Sequence, residues 1–351
     1  MKKSSRTIQQ FAAEIERQQK TKRDFMVSAP KIRAYAHAGE LELAFALKDE
    51  TQTDDDFFAG KLAQTGHDQL ATFLNIPKAY YDRMKTQDNI DLLAKNAQWW
   101  LDKQSDRRMI RTLDGNIRGI LSDKYRRLDN HDLLTAMLPI LLEARADIVS
   151  CEVDEKKLYL KFLTHQMEGE VKKGDIVTLG AVISNSEVGY GSLSIQPLVL
   201  RKVCDNGLIL NDLAYRKYHV GRKNQQETID ISYTDETNAA IDKAFWLQTR
   251  DVIKETVSQV TMDKALKSMR TSMGIKIEDP QVAMEITTTK LGLNQDEAGN
   301  VLKHLIEGGD LTNWGMCNAL TRSAQDVESY GRSVELETLA AQLLTMNLNR
   351  N

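Results

Sequence analysis

Large apolar side chains recur with helical and strand-like periods in the first hundred residues. Ile8, Phe11 and Ile15 are three or four positions apart with polar residues between them, which predicts an amphipathic helix over residues 5–19. Every second residue in the segment 41–47 is large and apolar, which predicts a half-buried strand. Further helices are predicted over residues 67–74, 78–85 and 89–103.

The period becomes strand-like after residue 106. Two such runs, 107–113 and 116–122, flank the dipeptide Asp114-Gly115, and this arrangement predicts a β-hairpin with a two-residue turn. Asp129 or Asn130 can cap a helix that follows. The later elements are a helix over 131–144 and strands over 148–153, 157–163, 176–184 and 192–203.

From residue 235 onward the pattern is helical almost to the end. The predicted helices cover residues 237–260, 262–273, 281–291, 295–306 and 334–344. We therefore predict an α+β fold, in which a central, mainly antiparallel sheet with flanking helices is followed by a helical C-terminal region. The predicted division is an N-terminal amphipathic arm over 1–25, an α+β core domain over 26–230 and the helical region over 231–351.

Composition narrows the class of protein. The 351 residues are 41% hydrophobic and 28% charged, which is typical of a soluble globular protein. No apolar run approaches the roughly 20 residues that span a bilayer, and no secretory signal follows the N-terminal lysines, so no membrane partner is expected. The three cysteines are far apart and odd in number, which indicates reduced thiols and a cytoplasmic location. Because the formal net charge is −3, a polyanionic partner would require a local basic patch.

The hairpin supplies the first such patch. An unbroken register places Arg111 opposite Arg118, with Arg107 on the same face, and paired like charges destabilise a sheet unless an anion lies between them. A phosphate backbone is one source of that anion, because guanidinium groups bind phosphate oxygens in a bidentate manner. The alternative is that Asp or Glu side chains elsewhere in the chain neutralise the arginines. The nucleic-acid-binding residues predicted here are Arg107, Arg111, Arg118, Lys124, Tyr125, Arg126 and Arg127.

A second cluster mixes cations and tyrosines. Basic residues interleaved with aromatic rings are typical of single-stranded nucleic acid sites, where the cations follow the backbone and the rings accept bases. An ordinary surface loop is the alternative reading. The residues are Arg201, Lys202, Tyr215, Arg216, Lys217, Tyr218, Arg222 and Lys223.

Enzyme signatures are missing from the sequence. It contains no phosphate-binding GxxxxGK[ST], no HExxH and no GxSxG motif. Asp54, Asp55 and Asp56 are adjacent carboxylates, but neighbouring side chains in a strand or loop point in different directions. We therefore predict no catalytic residue, no metal site and no cofactor.

Several sequence blocks between residues 62 and 343 resemble a phage/plasmid-like family of unknown function known as DUF932. The blocks are Leu74-Asn75-Ile76-Pro77-Lys78-Ala79-Tyr80-Tyr81, Ile117-Arg118-Gly119-Ile120-Leu121-Ser122-Asp123-Lys124-Tyr125-Arg126-Arg127, Ser184-Asn185-Ser186-Glu187-Val188-Gly189-Tyr190-Gly191, Arg201-Lys202-Val203-Cys204-Asp205-Asn206-Gly207-Leu208 and Trp314-Gly315-Met316-Cys317-Asn318-Ala319-Leu320-Thr321. The resemblance implies an association with mobile elements, and therefore with DNA replication, recombination or repair. It carries no catalytic residue with it.

Together these features predict a non-catalytic nucleic-acid-binding protein of a phage or plasmid in the cytoplasm of a bacterial host cell. Single-stranded DNA is the favoured partner, in a binding or annealing role during replication or recombination, and a homo-oligomer is expected. The alternative is an oligomeric assembly protein that binds no nucleic acid. The third hypothesis is a metal-dependent nuclease whose ligands only the fold brings together.

Overall fold

The computed structural model describes residues 1, 6–47, 57–86, 89–211, 214–217 and 235–349. The predicted α+β class is confirmed: antiparallel sheets occupy the first two thirds of the chain and helices the last third. The boundary predicted near residue 230 lies outside the described residues. Within the described ranges, no helix has both the length and the apolar character needed to cross a bilayer.

The N-terminal half contains two three-stranded sheets and three helices packed on them. The sheet orders are β1-β5-β6 and β2-β3-β4. Their shared core is closed by the apolar faces of α2, α3 and α4. In chain order the elements are α1 (Ile8–Thr21), β1 (Arg23–Ser28), β2 (Arg33–His37), β3 (Glu40–Ala46), β4 (Phe57–Lys61), α2 (Gln64–Phe73), α3 (Lys78–Thr86), α4 (Ile90–Leu101), β5 (Arg107–Leu113) and β6 (Asn116–Ser122).

The predicted hairpin turn is present between β5 and β6. Asp114 and Gly115 have φ angles of 52° and 78°, the left-handed pair that a two-residue turn of this type requires. The predicted amphipathic helix is also present, as α1. Its buried residues Phe11 and Ile15 pack in a core with α5 and the central sheet, so the helix docks on its own chain.

The central sheet runs in the order β11-β10-β9-β8-β7, and β12 also pairs with β10. One face packs against α1, α5 and α6. The same face continues, through Val177, Leu179 and Val199, into a core with the C-terminal helices. The opposite face, which carries Tyr159, Val182 and Leu198, packs against Tyr330 and Val334 in the last of these helices. The elements are α5 (Asn130–Glu143), β7 (Ala146–Val153), β8 (Leu158–Glu170), β9 (Ile176–Asn185), β10 (Leu193–Arg201), β11 (Asn206–Ile209) and β12 (Tyr215–Lys217).

The C-terminal helices have well-defined ends. Asn294 and Glu297 form a capping box at the start of α9, and Gly292 and Gly309 end α8 and α9 in the left-handed conformation. The helices are α6 (Asp235–Thr256), α7 (Gln259–Met273), α8 (Pro280–Leu291), α9 (Gln295–Gly308), α10 (Asn313–Ser323) and α11 (Tyr330–Leu339). A fully buried ion pair between Lys161 of β8 and Glu337 of α11 joins these helices to the sheet.

Candidate nucleic-acid interface

The hairpin register differs from the predicted one at the two arginines. Thr112 pairs with Ile117 as expected, but Arg111 pairs with Gly119, so Arg118 is the extra residue of a β-bulge. The predicted direct pairing of Arg111 with Arg118 is therefore wrong. The bulge removes the direct cross-strand pairing of two like charges that an unbroken register would create.

Arg111 is completely buried and fully engaged with groups of its own chain. Its Nε and Nη2 donate to the two carboxylate oxygens of Asp24 at 2.8 and 3.1 Å. Nη2 also donates to Asp129 at 2.7 Å, and Nη1 donates to the backbone carbonyl of Glu187 at 2.8 Å. The prediction that Arg111 waits for an external phosphate is therefore wrong.

Arg118 is neutralised in the same way. Its Nη2 donates to Glu187 Oε2 at 2.6 Å, and both side chains are less than a tenth exposed. Lys22 completes the set, because its Nζ lies 2.7 Å from Asp129 and 3.5 Å from Glu187. We call these six residues the buried ion network: Lys22, Asp24, Arg111, Arg118, Asp129 and Glu187. Three cations and three carboxylates balance, so the network presents no excess positive charge to a polyanion.

Glu187 also caps helix α5. Asp129 occupies the predicted N-cap position, but its side chain makes no capping hydrogen bond because it accepts from Lys22 and Arg111 instead. The backbone N–H of Asn130 donates to Glu187 Oε1 at 2.7 Å. A carboxylate from the β9–β10 connection thus supplies the acceptor that the helix N-terminus needs.

The cations of the network keep Asp129 and Glu187 ionised at neutral pH. Burial by itself raises the pKa of Asp129, but the charges of Arg111 and Lys22 outweigh it and hold that pKa at about 2. Burial also raises the pKa of Glu187, and Arg118 and Lys22 outweigh it, so the net direction is downward. Each acid therefore depends on its cations to remain charged in a poorly solvated site.

The residues after the hairpin divide into occupied and exposed groups. The hydroxyl of Tyr125 donates to the carbonyl of Ser186 at 2.9 Å, and burial raises its pKa. The guanidinium carbon of Arg126 lies 4.9 Å from the centre of the Phe245 ring. Tyr125 and Arg126 thus already have partners within the fold, which argues against their predicted contacts with bases and phosphates. Lys124 and Arg127 are exposed, and Arg127 lies 3.6 Å from Asp24.

The second predicted cluster is not an open row of cations and rings. Arg201 makes a bidentate ion pair with the buried Asp175, at 2.6 and 2.9 Å, and Lys202 pairs with Glu168. Tyr215 of β12 packs against the core on one face of the central sheet. Arg216 bonds to the side chain of Asn211, and Lys217 ends β12. Tyr218, Arg222 and Lys223 lie outside the described residues.

Three exposed cations remain at the end of the hairpin sheet that lies away from its turn. We call Lys103, Arg107 and Lys124 the basic edge; within the described residues, none of the three has an ion-pair partner. Lys103 precedes β5 by four residues and Arg107 begins it. Arg108 pairs with Ser122, the last residue of β6, and Lys124 follows two residues later, so all three cations lie at or just beyond this end of the hairpin.

The carboxylates of this edge are mostly engaged elsewhere. Asp102 pairs with Arg33 at 3.1 Å and Asp106 pairs with Arg108 at 2.9 Å. Asp123 accepts a hydrogen bond from Ser122 and is exposed. An excess of positive charge therefore remains at the basic edge, in contrast to the balanced network beneath it.

Two exposed tryptophans adjoin the basic edge, and the sequence predictions overlooked them. Trp99 and Trp100 are 54% and 40% exposed, and their ring centres are 4.6 Å apart at an interplanar angle of 88°. Lys103 Nζ lies 5.4 Å from the centre of the Trp99 ring. The spacing gives a signal for Trp99 alone: the buried face of α4 is set by Leu93, Ala97 and Leu101, and position 99 falls on the other side. Trp100 is three residues after Ala97 and lies beside that face, so its exposure was not predictable from the spacing.

The third hypothesis, a metal-dependent nuclease, requires a cluster of metal-ligating side chains. Among them, no group of three or more His, Cys, Asp or Glu side chains is arranged to hold a metal ion. Asp54, Asp55 and Asp56 lie outside the described residues.

The comparisons with known proteins returned no similarity. No family model matches the chain. No curated protein matches it, and no solved structure matches it.

Proposed function

We propose that this protein is a non-catalytic nucleic-acid-binding protein that contacts the phosphate backbone through the basic edge. The observation that carries the proposal is that Lys103, Arg107 and Lys124 are exposed, lie at or just beyond the same end of the hairpin and have no carboxylate partner among the described residues. When such cations neutralise phosphates, the counterions condensed on the nucleic acid are released, which favours binding of a polyanion. The buried arginines then act on binding only by holding the hairpin in place.

The setting of this activity is proposed from the family resemblance. A phage or plasmid protein of the DUF932 type would act on nucleic acid in the cytoplasm of a bacterial host, during replication or recombination. Nothing in this part of the proposal requires a cofactor or a catalytic residue.

The salt dependence of binding tests the proposal. We expect the triple variant Lys103→Gln, Arg107→Gln, Lys124→Gln to bind nucleic acid more weakly, and to lower the slope of log affinity against log salt by about 2, since each phosphate contact with a single strand contributes about 0.7. Fluorescence anisotropy at several salt concentrations measures both quantities.

A matched control separates the basic edge from net charge. Lys173, Lys264 and Lys290 are exposed lysines elsewhere on the surface, so their triple glutamine variant removes the same charge. We expect that control to retain the wild-type slope. Equal slopes for the two triple variants would contradict the proposal, because the effect would then belong to total charge.

A homo-oligomer is the second proposal, and α5 is the observation that favours it. Leu138 and Leu142 are one helical turn apart and are 56% and 74% exposed. A strip of this kind can meet its own copy across a two-fold axis, which buries the same apolar groups on both chains.

Light scattering tests the assembly. We expect wild-type protein to have the mass of a multimer and the Leu142→Glu variant to have the mass of one chain, because a carboxylate would be buried in the contact. Val203→Glu, at an exposed apolar residue elsewhere, is the control and should leave the mass unchanged. A wild-type chain that is monomeric at tens of micromolar would remove this proposal.

A further inference from the structure

The tryptophan pair at the end of α4 lies at the protein surface. The helix buries Leu93, Ala97 and Leu101, whereas Trp99 and Trp100 are 54% and 40% exposed. Tryptophan is a large apolar side chain that proteins normally bury or place at an interface. Two adjacent exposed tryptophans therefore point to a partner that covers them.

The two tryptophan rings contact each other and remain partly exposed. They meet edge to face, with an interplanar angle of 88°. The ammonium of Lys103 lies 5.4 Å from the centre of the Trp99 ring. If a flat, uncharged group stacks on the Trp99 ring, an anion attached to that group can thus reach the ammonium of Lys103.

The charges around the rings favour a polyanionic partner over a protein surface of mixed charge. Lys95 is exposed on α4 and Lys103 is exposed just after the end of this helix. Arg107 follows four residues after Lys103. Asp102, the nearest carboxylate in the chain, is paired with Arg33 at 3.1 Å. Asp91 is exposed at the other end of the helix.

We infer that Trp99 and Trp100 stack on unpaired nucleobases while Lys103 and Arg107 contact the phosphates that join them. The inference rests on the proposed function and adds the class of ligand: single-stranded nucleic acid is preferred to duplex. Bases in a duplex are stacked on each other and cannot offer their faces to a side chain, whereas unpaired bases stack readily on aromatic rings.

The test compares the variant Trp99→Ala, Trp100→Ala with wild type on four probes: oligothymidylate, oligouridylate, a DNA duplex of equal length and inorganic polyphosphate. We expect a loss of about tenfold or more in affinity for the single strands, because each of the two stacked bases contributes a factor of about 5 to 150. Duplex and polyphosphate binding should stay at the wild-type level. The ratio of the thymidylate and uridylate affinities shows whether DNA or RNA is the preferred source of the bases. A loss of affinity of the double alanine variant for either oligonucleotide supports stacking.

Two further variants keep the test sharp. Trp99→Phe, Trp100→Phe retains flat rings and should retain most of the single-strand affinity. Tyr80→Ala removes another exposed ring, on α3, and should change nothing. Circular dichroism of each variant checks that the fold is intact.

The failures are distinguishable. If wild type and the double alanine variant each bind single strands and duplex with equal affinity, the stacking inference is overturned. The proposal that the basic edge binds phosphate is then retained, and the tryptophans belong to a protein contact. An equal loss on all four probes also overturns it. If wild type binds none of the probes, the proposed function itself is wrong.

Discussion

Replacing Arg111 with Met should lower the free energy of unfolding by about 3–5 kcal/mol, because removal of one partner leaves buried charges uncompensated. Methionine preserves much of the side-chain volume, so the effect measures lost charge and hydrogen bonds more than a cavity. Asp24 would lose both of its close donors from Arg111, and Asp129 would retain only Lys22. Urea unfolding of the purified variant measures the change.

The control lies on the same strand. Arg107 is exposed, so Arg107→Met should change stability by no more than about 0.5 kcal/mol, as is usual for surface positions. Arg111→Lys separates charge from geometry, since one ammonium cannot reproduce the guanidinium's bonds to Asp24, Asp129 and the carbonyl of Glu187. We expect it to recover only part of the loss. An Arg111→Met variant as stable as Arg107→Met would show that the network contributes nothing.

Acid should destabilise the protein by about 2 kcal/mol through Asp129 alone, because its pKa is about 2 in the folded protein against 3.8 in the unfolded chain. Because folding lowers the pKa of Asp129, its stabilising contribution is fully present at pH values above the pKa of the unfolded chain. That contribution is lost as the pH falls from about 4 toward 2. Glu187 adds to the loss in the same direction, since its pKa is also lowered.

Asp129→Asn isolates this contribution. The variant cannot ionise at position 129, so its stability at neutral pH should be lower than that of wild type. On acidification the variant should lose about 2 kcal/mol less free energy of unfolding than wild type loses. Urea unfolding at a series of pH values from 6 to the acid limit measures both curves. Parallel curves for the two proteins would contradict the assignment of the acid-sensitive charge to this network.

The buried ion network also determines how loss of binding in a variant is interpreted. It joins α1, the hairpin, the start of α5 and the β9–β10 connection, so any change to it disturbs the position of Arg107 and Lys124. Weak nucleic-acid binding by an Arg111 variant would therefore report a damaged scaffold. Only variants of exposed residues with normal unfolding curves address the interface itself.

Local pattern was sufficient to predict the hairpin, the helix after it and most of the C-terminal helices, because each depends on residues close in sequence. The Asp114-Gly115 turn is an example: its two left-handed residues are adjacent, and their identity predicts the geometry. The bulge at Arg118 was not predictable in this way. Its arginine is held by Glu187, which is 69 residues away in the chain.

The same limit explains the wrong prediction for Arg111. Its carboxylate partner Asp24 is 87 residues earlier, and the carbonyl of Glu187 is 76 residues later. A count of charges restricted to the hairpin segment includes its cations but leaves out the carboxylates that the fold brings to them from other segments. Trp99, in contrast, was accessible from sequence, since helical spacing already separates it from the buried side of α4. Trp100 was not, because it is three residues after the buried Ala97.

Residue-resolved modification of arginine by a dicarbonyl reagent, with and without oligothymidylate, tests the central claim most directly. The claim is that Arg111 is occupied within its own chain while Arg107 is free to meet phosphate. We predict that Arg107 reacts in the free protein and is protected by the oligonucleotide, and that Arg111 is unreactive in both samples. Reaction of Arg111 in the folded free protein, followed by its protection by DNA, would contradict the account.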